Sequence, residues 1–180
     1  MQNLKGQIDF VLIGGWAVYL YTKALKSKDI DIIISYENLS KLKGFFPITK
    51  NDRLKKYEAR NEEVQIDIYL PFYSNLGIPV EEITKEVNKV ETFTLPTPEM
   101  LLILKQFTYG ERKISAKGQK DMLDIISLLS KTTIDWKQYK KLLTKFKAEK
   151  YSTHLAELLN NNTHISQLGL NQHSYSKLKK

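Results

Sequence analysis

Two aspartates, Asp29 and Asp31, stand one residue apart in the alternating run Asp29-Ile30-Asp31-Ile32. In an extended chain, residues i and i+2 point to the same side. The run therefore sets two carboxylates side by side and leaves the isoleucines to anchor the opposite side. A third acid, Asp67, occupies a second alternating run, Ile66-Asp67-Ile68. Carboxylates gathered in one place repel unless a cation neutralises them. An all-oxygen donor set suits Mg2+ or Mn2+, which keep coordination positions for water and substrate phosphates. Upstream lies Gly14-Gly15, at the end of the apolar run Phe10-Val11-Leu12-Ile13. Glycine lets a ligand approach the backbone closely, and a helix starting there would aim free N–H groups at an anion. A phosphate cradle followed by a carboxylate metal site is the equipment of phosphoryl or nucleotidyl transfer on two ions.

Each feature alone has a plain structural reading: an exposed strand edge, a turn, a surface acid. What ties them together is the order of the elements that carry them. Residues 10–13 read as a buried strand and 16–25 as a helix. Residues 29–35 read as a strand with Ile30, Ile32 and Ile34 on one face and Asp29, Asp31 and Ile33 on the other. A short helix is expected at 38–43 and a strand, interrupted by Pro47, at 45–49. Strands at 53–59 and 63–70 form a hairpin around Asn61-Glu62. A helix at 79–87 and a last strand at 89–95 complete the first half.

Leu95-Pro96-Thr97-Pro98 marks a boundary, because two prolines in three positions do not fit inside a regular element. Beyond it the pattern is helical. Thr97 is the expected N-cap and Pro98 the first helical residue, followed by apolar 100–107. A basic loop is expected at 110–118, helices at 119–129, 134–146 and 154–159, and a frayed polar stretch from 160 on. The expected fold class is α/β (α+β): a mixed twisted sheet with flanking helices, followed by a C-terminal helical bundle.

With no cysteine, thiolate metal sites, disulfides and cysteine nucleophiles are excluded. No apolar run approaches the roughly 20 residues of a membrane span, and residues 1–10 lack a signal-peptide core; the expectation is a cytoplasmic protein with no membrane partner. The net charge of +8 suits a polyanionic partner such as RNA, or reflects a lysine-rich background. Only Arg53, Arg60 and Arg112 supply guanidinium groups, so base-specific reading gets little support. Lys137, Lys140, Lys141 and Lys145 recur at helical spacing and would form one basic stripe. The histidines, His154, His164 and His173, show no ligand spacing.

Leu12-Ile13-Gly14-Gly15, a helix, Asp29-Ile30-Asp31-Ile32 and then Ile66-Asp67-Ile68 together resemble the motif set of the polymerase-beta-like nucleotidyltransferase superfamily. The resemblance covers about residues 8 to 70. In the second half, Pro96-Thr97-Pro98-Glu99 leading into Met100–Lys105, then Arg112, then Lys120-Asp121-Met122-Leu123-Asp124-Ile125, resembles the helical part of the AbiEii-like group, which includes toxin components of toxin–antitoxin systems. Gly15 stands where many relatives carry serine, and Leu25 where that group often carries arginine.

The resemblance implies a catalytic core at 1–95, a helical region at 97–160 closing the nucleotide cleft, and a polar tail at 161–180. It implies an NTP substrate, two Mg2+ or Mn2+ ions held by Asp29, Asp31 and Asp67, and NMP transfer to a hydroxyl of RNA, protein or a small molecule. It assigns nucleotide contacts to Gly14, Gly15, Lys28, Lys105 and Lys120, with Asp121 and Asp124 orienting Lys105 or Arg112, or pairing at the surface. A cognate antitoxin-like protein partner is a further expectation. The rivals are a non-catalytic nucleic-acid- or partner-binding module on the same fold and a metal-dependent phosphohydrolase.

Overall fold

A computed structural model describes residues 6–60 and 64–179. Seven strands form one mixed sheet: β1 Val11–Ile13, β2 Ile30–Ile33, β3 Ile48–Asn51, β4 Lys56–Arg60, β5 Gln65–Tyr69, β6 Val87–Val90 and β7 Phe93–Pro96. Their spatial order is β3-β4-β5-β2-β1-β7-β6. The pairs β2–β5 and β1–β7 are parallel and the others antiparallel. Among the described residues the helices are α1 Gly14–Thr22, α2 Tyr36–Leu42, α3 Val80–Ile83, α4 Pro98–Arg112, α5 Ala116–Lys131, α6 Trp136–Lys145, α7 Lys150–Asn160 and α8 Gln172–Ser176. The chain divides into two compact units. One holds the residues up to Leu20 and Leu25–Thr97, hence every strand; the other holds Tyr21–Ala24 and the chain from Pro98 onward. This is the mixed α/β architecture the sequence predicts. No helix among the described residues is long and apolar enough to cross a membrane.

Period-two alternation decides what the sheet buries. Register places Leu12, Ile30, Ile32, Ala59, Ile66 and Ile68 on one face, each at most 7 % exposed. Burying one such aliphatic side chain contributes about 1.5–3 kcal/mol, so these rows fix the register of β1, β2, β4 and β5. A slip of one residue would turn these side chains out and the acids in. Buried Ala17, Val18, Leu39, Leu42, Val80 and Ile83 come from the three helices of this unit. Ser35 caps α2 by accepting the Asn38 N–H.

Several boundaries depart from the sequence expectation. The segment expected as one strand at 89–95 is the hairpin β6–β7, reversing at Glu91-Thr92. Glu91 takes φ +54° there without being glycine, so no turn residue announces the reversal. Pro96 closes β7, paired with Val87, and so lies within a regular element at its last position. The helix expected at 79–87 is the single turn α3. β3 starts after Pro47 instead of running through it. The turn expected at Asn61-Glu62 lies outside the described residues, while the flanking β4 and β5 pair antiparallel as expected.

In the helical unit, α4 packs chiefly on α5 and also meets α6 and α7. The basic segment expected as a loop is mostly helical. α4 runs through Gly110 to Arg112, and Ser115 caps α5 by accepting the Gly118 N–H. A Cβ on Gly118 would overlap the Arg112 carbonyl, so this glycine serves close helix approach and is not a loop marker. Asp135 caps α6 through the N–H groups of Lys137 and Gln138. The stretch after 160 is folded: Ile165 and Leu170 form a bridge, and the fully buried Tyr175 donates its hydroxyl to the Leu159 carbonyl. One buried aromatic outweighs the polar composition that predicted fraying.

Candidate active site

The face of the sheet opposite the isoleucines carries the acids. β2 and β5 run parallel with Asp31 directly beside Asp67. β4 runs antiparallel to β5 with Glu58 opposite Asp67. A row Glu58–Asp67–Asp31 thus crosses three strands, continued by Ile13 of β1, which pairs with Asp31. Cross-strand neighbours stand about 4.5–5.5 Å apart at Cβ, so these carboxylates are close by construction.

At the end of β1 the chain turns straight into α1 at Gly14, with φ +67°. A Cβ there would overlap the Asp31 carboxylate. The space a side chain would fill is taken by Asp31, and the left-handed backbone adds a second reason for glycine. The main chain that starts α1 is therefore in contact distance of the aspartate. Gly15, buried, is the second residue of the helix.

Lys56 is the main cation of this row. Its ammonium lies 2.5 Å from Asp67 Oδ2 and 3.2 Å from Glu58 Oε1, and the residue is only 7 % exposed. Gln65 Nε2 donates to Asp67 Oδ1 at 3.1 Å, so both oxygens of Asp67 are engaged. Burial by itself pushes the Lys56 ammonium down, but the Asp67 and Glu58 carboxylates outweigh it and raise the group above its ordinary value. Glu58 is held below the usual carboxylate range by the Asn51 amide and the Lys56 ammonium. Arg60 reaches its other oxygen at 3.3 Å. The Tyr69 hydroxyl lies 3.5 Å from Asp31 Oδ1, the long limit of a hydrogen bond.

Asp31, Asp67 and Gly14 are thus brought together. Asp29 stands one residue before β2, half-buried, and Lys28 beside it is exposed. Lys105 and Lys120 belong to the helical unit, in a cluster of their own. Lys105 Nζ is 3.1 Å from Asp121 and 2.7 Å from Asp124; Arg112 Nε is 2.8 Å from Asp121, and Lys120 is 3.5 Å from Asp124. Asp121 and Asp124 are at most 1 % exposed, which replaces the surface pairing considered from sequence with a buried one.

Sequence reading missed Lys56, Glu58 and Gln65. The available signal was the alternation Lys56-Tyr57-Glu58-Ala59-Arg60, charged on one side and apolar on the other, in the strand that the hairpin lays against Asp67.

Among the described residues no group of three or more His, Asp or Glu forms a ready cage for a metal ion. The donor chemistry nevertheless fits one. Asp31 and Asp67, in register on neighbouring strands, offer only oxygen, as Mg2+ prefers, and Asp67 already takes one positive charge, the Lys56 ammonium.

No family model and no curated protein sequence matches this chain. Solved structures do. The crystal structure of ANT(2'')-Ia in complex with adenylyl-2''-tobramycin aligns over 81 % of this chain and 91 % of its own, at TM-score 0.59 and 12 % identity. The solution structure of the antibiotic-resistance factor ANT(2'')-Ia aligns over 85 % and 89 %, at TM-score 0.57 and 11 % identity. At such identities the likeness is one of fold, and on it the chain has the nucleotidyltransferase fold.

Proposed function

We propose that the protein is a divalent-metal-dependent nucleotidyltransferase that moves NMP from an NTP to a hydroxyl acceptor. The observation that carries this reading is the in-register pair Asp31–Asp67 on parallel strands, with Gly14 against Asp31. Asp29, Asp31 and Asp67 would hold the ions, Mg2+ or Mn2+. Bound there, they would neutralise the triphosphate and the charge that develops at the transferred phosphorus. The backbone of Gly14 and Gly15 at the start of α1 receives phosphate oxygens. Asp67 accepts the proton of the acceptor hydroxyl at a carboxylate oxygen. The acceptor oxygen bonds to the α-phosphorus, the bond from that phosphorus to the β-phosphate oxygen breaks, and pyrophosphate leaves.

Two acceptor classes have support. The fold neighbour ANT(2'')-Ia was captured with adenylyl-2''-tobramycin, an adenylylated small molecule. RNA is the second, on the evidence of α6. Lys137, Lys140, Lys141 and Lys145 are all exposed there, while Tyr139, Leu142 and Leu143 turn inward, so the basic stripe faces solvent. Each α-labelled NTP, incubated with bulk RNA, bulk protein or aminoglycosides, tests the reading. Label on an acceptor with pyrophosphate release supports it, phosphate release favours a phosphohydrolase, and no turnover favours a binding module.

A further inference from the structure

We infer that Lys56 is an internal counter-cation that competes with a divalent ion for Asp67, and that Glu58 is the anchor to which the lysine withdraws when the ion binds. The inference rests on the metal reading proposed above for Asp31 and Asp67. Its own ground is the geometry of one buried ammonium shared by two carboxylates. Lys56 Nζ touches Asp67 at 2.5 Å and Glu58 at 3.2 Å, and Glu58 stands directly opposite Asp67 on the neighbouring strand.

An ammonium and a metal ion on the same carboxylate compete, because two cations a few ångströms apart repel. With Lys56 present, Asp67 is neutralised without metal, so the row Glu58–Asp67–Asp31 does not repel itself apart. Entry of an ion at Oδ2 then works against the lysine already there. Were Asp67 its only partner, the displaced ammonium would be a buried, unpaired charge, which is strongly unfavourable. Glu58 removes that obstacle, because Lys56 already touches it and needs only to give up the Asp67 contact. Asn51 and Arg60 hold the Glu58 carboxylate in place at 3.0 and 3.3 Å. Lys56 is in this account a positioning residue that sets how tightly the site takes metal.

The test is Mn2+ binding to the full chain without nucleotide, followed by the paramagnetic signal of the free ion. Lys56→Met should tighten binding by at least about tenfold, as expected for one positive charge removed within a few ångströms at an effective dielectric of roughly 20. Lys56→Arg should stay near wild type. Glu58→Gln should weaken binding, because the lysine is left with Asp67 alone, and in the Lys56→Met background the same change should have a much smaller effect. The added thermal stability given by Mn2+ should also be larger for Lys56→Met than for wild type. Unchanged or weaker binding in Lys56→Met, or an equal Glu58→Gln effect in both backgrounds, overturns the inference. Asp31→Asn separates this from failure of the site itself. If Asp31→Asn loses Mn2+ while Lys56→Met gains nothing, only the role of Lys56 is wrong. If wild type and Asp31→Asn bind Mn2+ alike, or neither binds it, the metal reading falls and the inference with it.

Discussion

Each unit of this protein buries one lysine between two carboxylates, and the two arrangements differ in a telling way. In the sheet unit Lys56 bridges Asp67 and Glu58 on a strand face that also carries the half-buried Asp31. In the helical unit Lys105 bridges Asp121 and Asp124, with Arg112 on the outer oxygen of Asp121. In the helical cluster both acids are at most 1 % exposed and lie one helical turn apart on α5. Lys120 adds a longer contact to Asp124, at 3.5 Å. The sheet cluster adds a third acid, Asp31, in register beside Asp67, with the backbone of Gly14 against it. Similar ingredients stand in one case deep inside the helical unit and in the other on a partly open strand face, and only the second is the place proposed above for a metal ion.

The largest effect that separates the two is on stability. Asp124→Asn should cost about 3–5 kcal/mol in denaturant unfolding, since it leaves Lys105 and Arg112 sharing one buried acid. If it costs no more than a surface change, the buried pairing of Lys105 with Asp124 does not hold the helical unit together. Next comes Tyr139→Phe, which strands the Gln106 carbonyl that accepts the tyrosine hydroxyl at 2.7 Å and should cost about 1–2 kcal/mol. Burial raises the Tyr139 hydroxyl from 10.0 to about 12. The folded value lies above the unfolded one, so this contribution to stability is intact below about pH 10 and declines as pH rises toward 12. The phenylalanine variant should lose that slope, which pH-dependent melting would reveal.

In the sheet unit, Asp31→Asn should leave stability in metal-free buffer level or slightly raised, within about 0.5 kcal/mol, because one of several like charges is gone. A drop comparable to that of Asp124→Asn would erase the distinction between the two clusters. The smallest change in stability is expected for Lys140→Glu with Lys141→Glu, both exposed on α6. Stability should again move by less than about 0.5 kcal/mol. RNA affinity, if RNA is the acceptor, should fall and lose part of its salt dependence while NTP binding stays level.

Much of the sheet unit was legible because its physics is periodic. Asp29-Ile30-Asp31-Ile32 and Ile66-Asp67-Ile68 declare both the buried face and the acid face, whereas the parallel pairing that sets Asp31 beside Asp67 comes from the strand order and not from the alternation. Ile33 shows the limit of the rule: it shares the acid side yet is 2 % exposed, because both faces are covered at that end of β2. The hairpin at Glu91-Thr92 was hidden by a non-glycine residue in a left-handed conformation. Gly118 misled, because a glycine used for helix contact looks the same in sequence as one used for a loop. Lys56 and Glu58 were hard to single out for a different reason. Their importance comes from β4 lying beside β5, and a charged alternating strand reads in sequence as a solvated edge.

The central claim is nucleotidyl transfer at Asp31 and Asp67, and labelled turnover tests it most directly. Wild type and Asp31→Asn, each shown to be folded, would be incubated with α-labelled NTP, Mg2+ and the acceptor that the screen identifies. The account predicts acceptor labelling with pyrophosphate release in the wild type, abolished by chelating the metal and by Asp31→Asn. Labelling that persists in Asp31→Asn, or that proceeds unchanged without a divalent ion, would contradict it.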